Sequence, residues 1–372
     1  MKSELEQRLP IQSLRKARSD GHARRRPRPC GLTIHSAIGC PNKCLYCYIQ
    51  DMGFDFIEAR PYGLTGEELA YALILNPYFV PGIWGTFLAF GSIADPFNKN
   101  VIEKTLEYFN AIEKLGNPCQ FSTKAYIRPE TIKRLSSIRL PINPLITIVT
   151  IKRANKLEPN APTVESRLKT IKNLKSAGFK PMLFLRPIIP GVNDDEFDEI
   201  FKEAKRAGAV GAVIGGFRVT KRIIERLQRA GFDIKQIIKR KPKKAVLSEE
   251  QIPIKISDLK RKAIHQAKRR GLIAFASACC ANAYNAGVPC PNLCWLKGQC
   301  TNCPNKCADK VPSISESEVA DLIKMLTKRK IEDASVEDSK VTVKIGFKMS
   351  RREMETIKYV IQLFTRRRVL MR

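Results

Sequence analysis

Between residues 31 and 231 the chain alternates short apolar runs with amphipathic stretches, and this rhythm limits the available folds more than any other feature. GLTIHSAIG (31–39), TFLAFGS (86–92), CQFSTK (119–124), LITIVTI (145–151), PMLFLRPII (181–189) and AVGAVIGGF (209–217) read as strands. Between them EELAYALIL (67–75), VIEKTLEYFNAIEKL (101–115), PETIKRLSSI (129–138), TVESRLKTIKNLKSAG (163–178) and DDEFDEIFKEAKRAG (194–208) space their apolar residues as helices do. KRIIERLQRAG (221–231) closes the series. The strands are apolar enough to be covered on both faces, which calls for a parallel sheet with helices outside it. About six such units in about 200 residues predict an α/β fold, an incomplete (β/α)6 TIM-type barrel rather than a closed eightfold one. Reactive residues then belong where strands end and loops begin.

The flanking segments differ in character. Residues 1–29 carry Arg8, Arg15, Lys16, Arg18, Arg24, Arg25, Arg26 and Arg28, with Pro27 and Pro29 as helix breakers, and read as an irregular basic arm. After the barrel (30–232), residues 233–273 read as a basic linker and helix, QIIKRKPKK followed by DLKRKAIHQAKRRG. Residues 274–310 are a Cys-rich segment, and 311–372 a helical region with a basic end. In that last part VTVKIGF (341–347) suggests a short strand, and the stripe of Met354, Ile357, Ile361 and Leu363 reads as ordinary core packing on an amphipathic helix.

Lys and Arg number 66 against 36 Asp and Glu, a formal net charge of +30. Such a field draws polyanions and speeds their association, so DNA or RNA is the expected partner. A thermophile's charged surface would raise acidic residues alongside basic ones, and here they lag. No run approaches the roughly 18 apolar residues of a membrane span, and the N-terminus lacks an apolar signal segment. The expectation is a cytoplasmic protein with no membrane partner.

Three of the twelve cysteines lie in residues 40–47 and seven in 279–307, leaving Cys30 and Cys119 isolated. Two tight clusters without an export signal indicate metal ligation rather than disulfides. The first runs Gly39-Cys40-Pro41-Asn42-Lys43-Cys44-Leu45-Tyr46-Cys47-Tyr48, directly after the first strand. Three thiolates can hold three irons of a [4Fe–4S] cluster and leave the fourth open to a substrate or cofactor, whereas four would close the site as an electron carrier. The alternative is structural zinc, which wants four ligands; His35 could be the fourth but lies within the preceding strand.

This CxxxCxxC motif, with an aromatic before its last Cys, resembles the cluster motif of the radical S-adenosylmethionine (SAM) superfamily. Within that superfamily the chain is similar to the spore photoproduct lyase-like group, which includes DNA repair enzymes. GCPNKCLYCYI resembles the group's cluster loop, GSIADPF (91–97) its second-strand segment and FSTKA (121–125) its third. LEPNAPTVESRL (157–168) and RPIIPGVND (186–194) are similar to its later signatures. The resemblance covers about residues 30–220. It implies that Cys40, Cys44 and Cys47 are the catalytic cluster ligands, and that reductive cleavage of SAM yields a 5′-deoxyadenosyl radical, with an electron donor such as ferredoxin or flavodoxin. It further places Gly91 and Ser92 at the SAM amino group and Lys124 at the carboxylate. Thr147 and Thr150 fall at the ribose or carboxylate, and Tyr46 and Tyr48 around the adenine and cluster. One departure is chemical: spore photoproduct lyases place a hydrogen-donating Cys near the second-strand segment, and residues 86–98 contain none. A thiol donor would have to be Cys119 or lie elsewhere.

The second cluster comprises Cys279, Cys280, Cys290, Cys294, Cys300, Cys303 and Cys307. CPNKC occurs at 40–44 and again at 303–307, with CPNLC at 290–294, which suggests reuse of a loop that turns two thiolates toward one metal. Neither later copy continues with a Cys at the radical SAM spacing. An auxiliary [4Fe–4S] cluster is the first expectation and structural zinc the second, since the Cys–Pro pairs match the way ferredoxin runs end. Three functions follow: radical chemistry on a nucleic acid, radical chemistry on a peptide or small molecule, or a non-catalytic nucleic-acid-binding protein stabilised by metal.

Overall fold

The computed structural model describes residues 1–54, 56–297 and 304–372. Its centre is a seven-stranded, wholly parallel sheet of β1 (Leu32–Ile34), β2 (Leu88–Phe90), β3 (Cys119–Thr123), β4 (Ile142–Thr147), β5 (Met182–Leu185), β6 (Gly211–Ile214) and β7 (Ile273–Phe275), paired in that order. Leu88 stands opposite both Leu32 and Cys119, and Met182 opposite both Leu145 and Gly211, so the register runs unbroken across the sheet. The strands curl into a partial barrel. Outside them lie α3 (Gly66–Leu75), α4 (Ile102–Glu113), α5 (Pro129–Ser136), α6 (Val164–Ser176), α7 (Phe197–Arg206), α8 (Lys221–Arg229) and α9 (Ser257–Arg269). One continuous core joins the two layers, with Leu69, Phe109, Leu135, Leu174, Phe201 and Leu227 of the helices fully buried. Among the described residues no helix is long and apolar enough to cross a membrane.

Four expectations need correction. The N-terminal arm is not irregular: α1 (Lys2–Arg8) and α2 (Ile11–Ser19) bury Leu5, Leu9, Leu14 and Ala17 in the main core. Part of its basic charge is spent internally. Arg8 pairs with Glu67, Lys16 Nζ lies 2.9 Å from Glu68, and Arg18 donates to the Tyr71 hydroxyl at 2.9 Å. α2 ends at Ser19, well before Pro27 and Pro29. The barrel, moreover, has a seventh strand, β7, drawn from what the sequence suggested was the junction of linker and Cys-rich segment; Ile273–Phe275 pairs parallel with β6. Three residues are too few to show a strand periodicity. The fourth strand begins three residues early and ends at Thr147, leaving Thr150 in the loop beyond it. Finally, the last segment is not one helix: α12 (Arg351–Thr365) stops where Arg366 turns into the left-handed region at φ 53°, and β10 (Arg368–Met371) follows.

β10 completes a small C-terminal sheet with β8 (Asp333–Val336) and β9 (Lys340–Lys344), the β9–β10 pair parallel. With α11 (Glu316–Thr327) and α12 it encloses a second core of Val319, Ile323, Val341, Val343, Ile357 and Ile361. Arg366, fully buried, donates to the carbonyls of Leu363 and Trp84 and so ties this lobe to the barrel.

Candidate active site

A cavity of about 380 Å³ opens inside the partial barrel. Its walls come from the strands and the residues just beyond them, among them Ala89 and Gly91, Gln120, Ser122 and Lys124, Leu145 and Thr147, and Phe184 and Arg186. The cluster loop arches over it, with Cys40, Cys44 and Cys47, together with Tyr46 and Tyr48, among the lining residues. The expectations for Gly91, Ser92, Lys124 and Thr147 thus fall on one cavity with the three cysteines. Thr150 does not reach it: fully buried elsewhere, its hydroxyl donates to Glu196 at 2.6 Å. Cys119 is likewise absent from the walls and wholly buried at the start of β3, whereas Cys30 lines the cavity.

The loop is fastened from two sides. Arg226 on α8 donates to the carbonyls of Leu45 and Cys47 at 3.1 and 2.7 Å and pairs with Asp51 at 3.1 Å. On the other side Leu45 N–H donates to the Leu157 carbonyl at 3.0 Å, and Asn160 donates to the Pro41 carbonyl at 3.0 Å. The turn between Cys40 and Cys44 places Lys43 in the left-handed region at φ 50°. Burial, together with the Asp95 carboxylate, pushes the Cys40 thiol up to about 11, and burial pushes Cys44 up to about 12. Lys124 opposes this rise without cancelling it, so the thiols keep their protons until a metal ion releases them.

Beneath the loop lies a buried ionic group that the sequence did not disclose. Glu158, in the LEPN segment, has a fully buried carboxylate. It accepts from Arg167 at 2.5 Å and from the Tyr46 hydroxyl, and Lys124 Nζ lies 3.7 Å away. Arg167, itself 1% exposed, is further bound to the carbonyls of Pro162 and Thr147 at 2.8 and 3.2 Å. Burial opposes the charge on Lys124, but the Glu158 carboxylate, and Cys44 once it is a thiolate, hold the ammonium above its ordinary range. Lys124 also sits 5.4 Å from the centre of the Tyr46 ring. The signal for this group was a Glu and an Arg nine residues apart across a helix start, indistinguishable in sequence from a surface pair.

Gly91 turns at φ 93°, and a Cβ there would meet the Ser122 carbonyl oxygen at 2.4 Å, so only glycine lets the end of β2 lie this close to β3. The next residue, Ser92, faces His35 Nδ1 at 3.5 Å. His35 N–H donates to His22 Nε2 at 3.1 Å, and His22 Nδ1 lies 2.7 Å from Asp20, which also accepts from Tyr62 at 2.7 Å. Burial, with Arg25 beside it, drives His35 down to about 3 and keeps it neutral. Among the described lining residues the one acid, Asp95, is already committed to Thr123 and to the backbone N–H of Lys124 at 2.5 and 2.8 Å. Exposed Arg28, Lys43, Arg186 and Arg218 complete the walls, which leaves a cationic mouth.

In the second cluster, the sulfurs of Cys279, Cys280 and Cys290 lie within 4.8 Å of one another, and Cys294 is in hydrogen-bond contact with Cys280 and Cys290. Cys307 stands beside them, its sulfur accepting from Cys290 N–H at 3.4 Å and from Asn305 at 3.2 Å. Cys300 and Cys303 lie outside the described residues. The repeated pentapeptide does share one backbone shape: Leu293 and Lys306 adopt φ values of 52° and 43°, matching Lys43.

Residues 34–204 match the family model of the radical SAM superfamily. They form a radical SAM domain. The matched span runs from the last residue of β1 through the cluster loop and β2 to β5, and takes in most of α7. An uncharacterized protein of Acidianus two-tailed virus is 23% identical over 196 residues, 49% of this chain and 64% of the relative. An uncharacterized protein of Mycobacterium tuberculosis is 19% identical over 204 residues, 51% of this chain and 60% of the relative. The chain thus spans less than two thirds of these curated relatives. Among solved structures, a spore photoproduct lyase variant superposes with a TM-score of 0.52 at 22% identity, covering 66% of this chain and 75% of the other. Another, with bound AdoMet and dinucleoside spore photoproduct, gives 0.52 at 17% identity, covering 67% and 76%. Identities this low establish a shared fold. The matched domain implies a [4Fe–4S] cluster and SAM.

Proposed function

We propose that Cys40, Cys44 and Cys47 hold the [4Fe–4S] cluster and that the enzyme acts on nucleic acid, on a DNA lesion or an RNA base. The donor set suits that cluster. The three thiols line one cavity, yet among the described residues they are not a group close enough to share a single ion. When bound, cluster and SAM together supply a 5′-deoxyadenosyl radical that takes hydrogen from the substrate. The chain's own residues bind and orient. Lys124, held by Glu158 and shielded by Tyr46, presents its ammonium to the SAM carboxylate. Gly91 and Ser92 offer the end of β2 to the amino group, and Thr147 and Tyr48 close the remaining walls. Thr150 takes no part, because its hydroxyl is held by Glu196.

The observation that carries the nucleic-acid reading is the cationic mouth of the cavity, set in a chain of charge +30. Arg28, Arg186 and Arg218 can pair with phosphates flanking a base that enters the cavity; a base in a duplex must first be flipped out. Spore photoproduct lyase has been solved with a dinucleoside spore photoproduct, a substrate of the same chemical class. Ferredoxin or flavodoxin would deliver the electron, and a cytoplasmic setting suits that supply. The C-terminal cysteines, in this reading, hold an additional metal centre, an auxiliary [4Fe–4S] cluster or zinc.

The test is anaerobic reconstitution with iron and sulfide, followed by dithionite and SAM. Wild-type protein should form 5′-deoxyadenosine and Cys44→Ala should not. Turnover should rise with damaged DNA or tRNA, in a manner sensitive to salt. Cleavage stimulated only by a peptide or neutral small molecule would move the substrate to that class. A cluster-loaded protein that never cleaves SAM, with or without nucleic acid, would leave a binding function.

A further inference from the structure

We infer that Cys279, Cys280, Cys290 and Cys294 bind one tetrahedral metal ion, of the zinc class, rather than an auxiliary iron–sulfur cluster. The argument is the spacing of the sulfurs. Four thiolates about 2.3 Å from a single ion stand about 3.8 Å from one another. In a [4Fe–4S] cluster each thiolate binds a different iron on the outside of a four-iron body, and the ligand sulfurs are held farther apart. Here three sulfurs lie within 4.8 Å of one another, and the fourth is in contact with two of them. The thiols of Cys40, Cys44 and Cys47, carried on a similar turn, do not form such a group, so the two sites differ although their loops agree in sequence.

The local chain is built for this convergence. Cys279 and Cys280 open α10 (Ala278–Ala286), and the Ser277 hydroxyl lies 3.1 and 3.2 Å from their sulfurs. The left-handed residue Leu293 in CPNLC folds the segment so that Cys290 and Cys294 face the same point. All four positions are removed from bulk water to some degree, with Cys279 and Cys290 the deepest at 2% and 1% exposed. Four thiols gathered in this way, two of them buried and two half-buried, have no apolar rationale, and an ion would bind them all.

Its place in the fold gives the ion a task. α10 packs Ala278 and Ala281 with Leu145, Val213 and Phe275 of the barrel strands, and Ala278 lines the catalytic cavity. Cys279 N–H donates to the sulfur of Cys30, which lines the same cavity. An ion at this site clamps α10 to the 290–294 turn and fixes one wall of the radical chamber.

The experiment is metal analysis of the full-length holoprotein, purified without air, against Cys279→Ser/Cys290→Ser. Wild type should lose about one zinc per chain on substitution and keep its iron at about four per chain. Loss of about four irons instead would assign a cluster and overturn the inference, as would no change in any metal. Zinc-edge X-ray absorption of the wild type needs no variant: a shell of sulfurs at about 2.3 Å is expected, and nitrogen or oxygen ligands would overturn the assignment. Neither readout depends on SAM cleavage, so failure here is separate from failure of the radical SAM assignment of Cys40, Cys44 and Cys47.

Discussion

Replacing Glu158 by Gln removes the single anion from a pocket that contains Arg167 and Lys124. The Arg167 guanidinium is 1% exposed and cannot reach water, and its two remaining partners are the carbonyls of Pro162 and Thr147. A buried cation stripped of its counter-ion typically costs about 3–5 kcal/mol, and Glu158→Gln should lose that much stability. Lys124 contributes less to the loss, because its side chain is 16% exposed and can turn toward the cavity. The same substitution breaks the tie between Tyr46 and Lys124, so SAM binding should weaken as well. The decisive variant is Glu158→Gln/Arg167→Met, which removes both charges and substitutes apolar volume. It should be more stable than Glu158→Gln alone, by at least about 1.5 kcal/mol, since the unpaired charge is gone. Equilibrium urea unfolding under anaerobic conditions measures wild type, Glu158→Gln, Arg167→Met and the double variant. If Glu158→Gln costs under about 1 kcal/mol, or if the two substitutions add without coupling, the pocket is wetter than the structure indicates and the reasoning fails.

Three further outcomes are expected. Gly91→Ala forces a side chain into the left-handed region and against the Ser122 carbonyl; the backbone alone should cost about 1–3 kcal/mol, and equilibrium dialysis should show weaker SAM binding. His35 is neutral when folded, with its titration driven down to about 3 from an ordinary 6.5, so the unfolded chain binds more protons between those values. Stability should therefore fall as pH drops below about 6.5, by up to about 1.4 kcal/mol per unit from this group, and the slope should flatten in His35→Gln; an unchanged slope would show that His35 protonates in place. Arg186→Gln and Arg218→Gln should each lower the dependence of log K on log salt by about 0.7–0.9 for single-stranded or duplex DNA, read by fluorescence anisotropy. A nucleic acid that binds away from the cavity would leave the slope intact.

The β1 to β6 order, the parallel sheet and the cluster loop at a strand's end were legible in sequence because each is a local pattern. Strands buried on both faces write continuous apolar runs, helices write a 3.6 period, and a loop that turns three thiolates one way needs them at fixed spacing. The alignment of Gly91, Ser92, Lys124 and Thr147 on one wall follows from the same cause, since each ends a parallel strand. Thr150 looked equivalent to Thr147, but the strand stops between them and a buried carboxylate takes the hydroxyl.

What only the tertiary structure decided are relations between residues far apart in the chain, where spacing carries no information. Residues 1–19 look basic and loose until Leu5, Leu9, Leu14 and Ala17 find α3, and a seventh strand of three residues exists only because β6 offers it an edge. Glu158 becomes the anchor of Tyr46 and Lys124 through a contact spanning 112 residues. Cys30, isolated in sequence, reaches the cavity while Cys119 is sealed away from it. The sequence by itself determined that this chain gathers thiolates at two places. Which sulfurs stand close enough to share one ion is a matter of distances that only the folded chain sets.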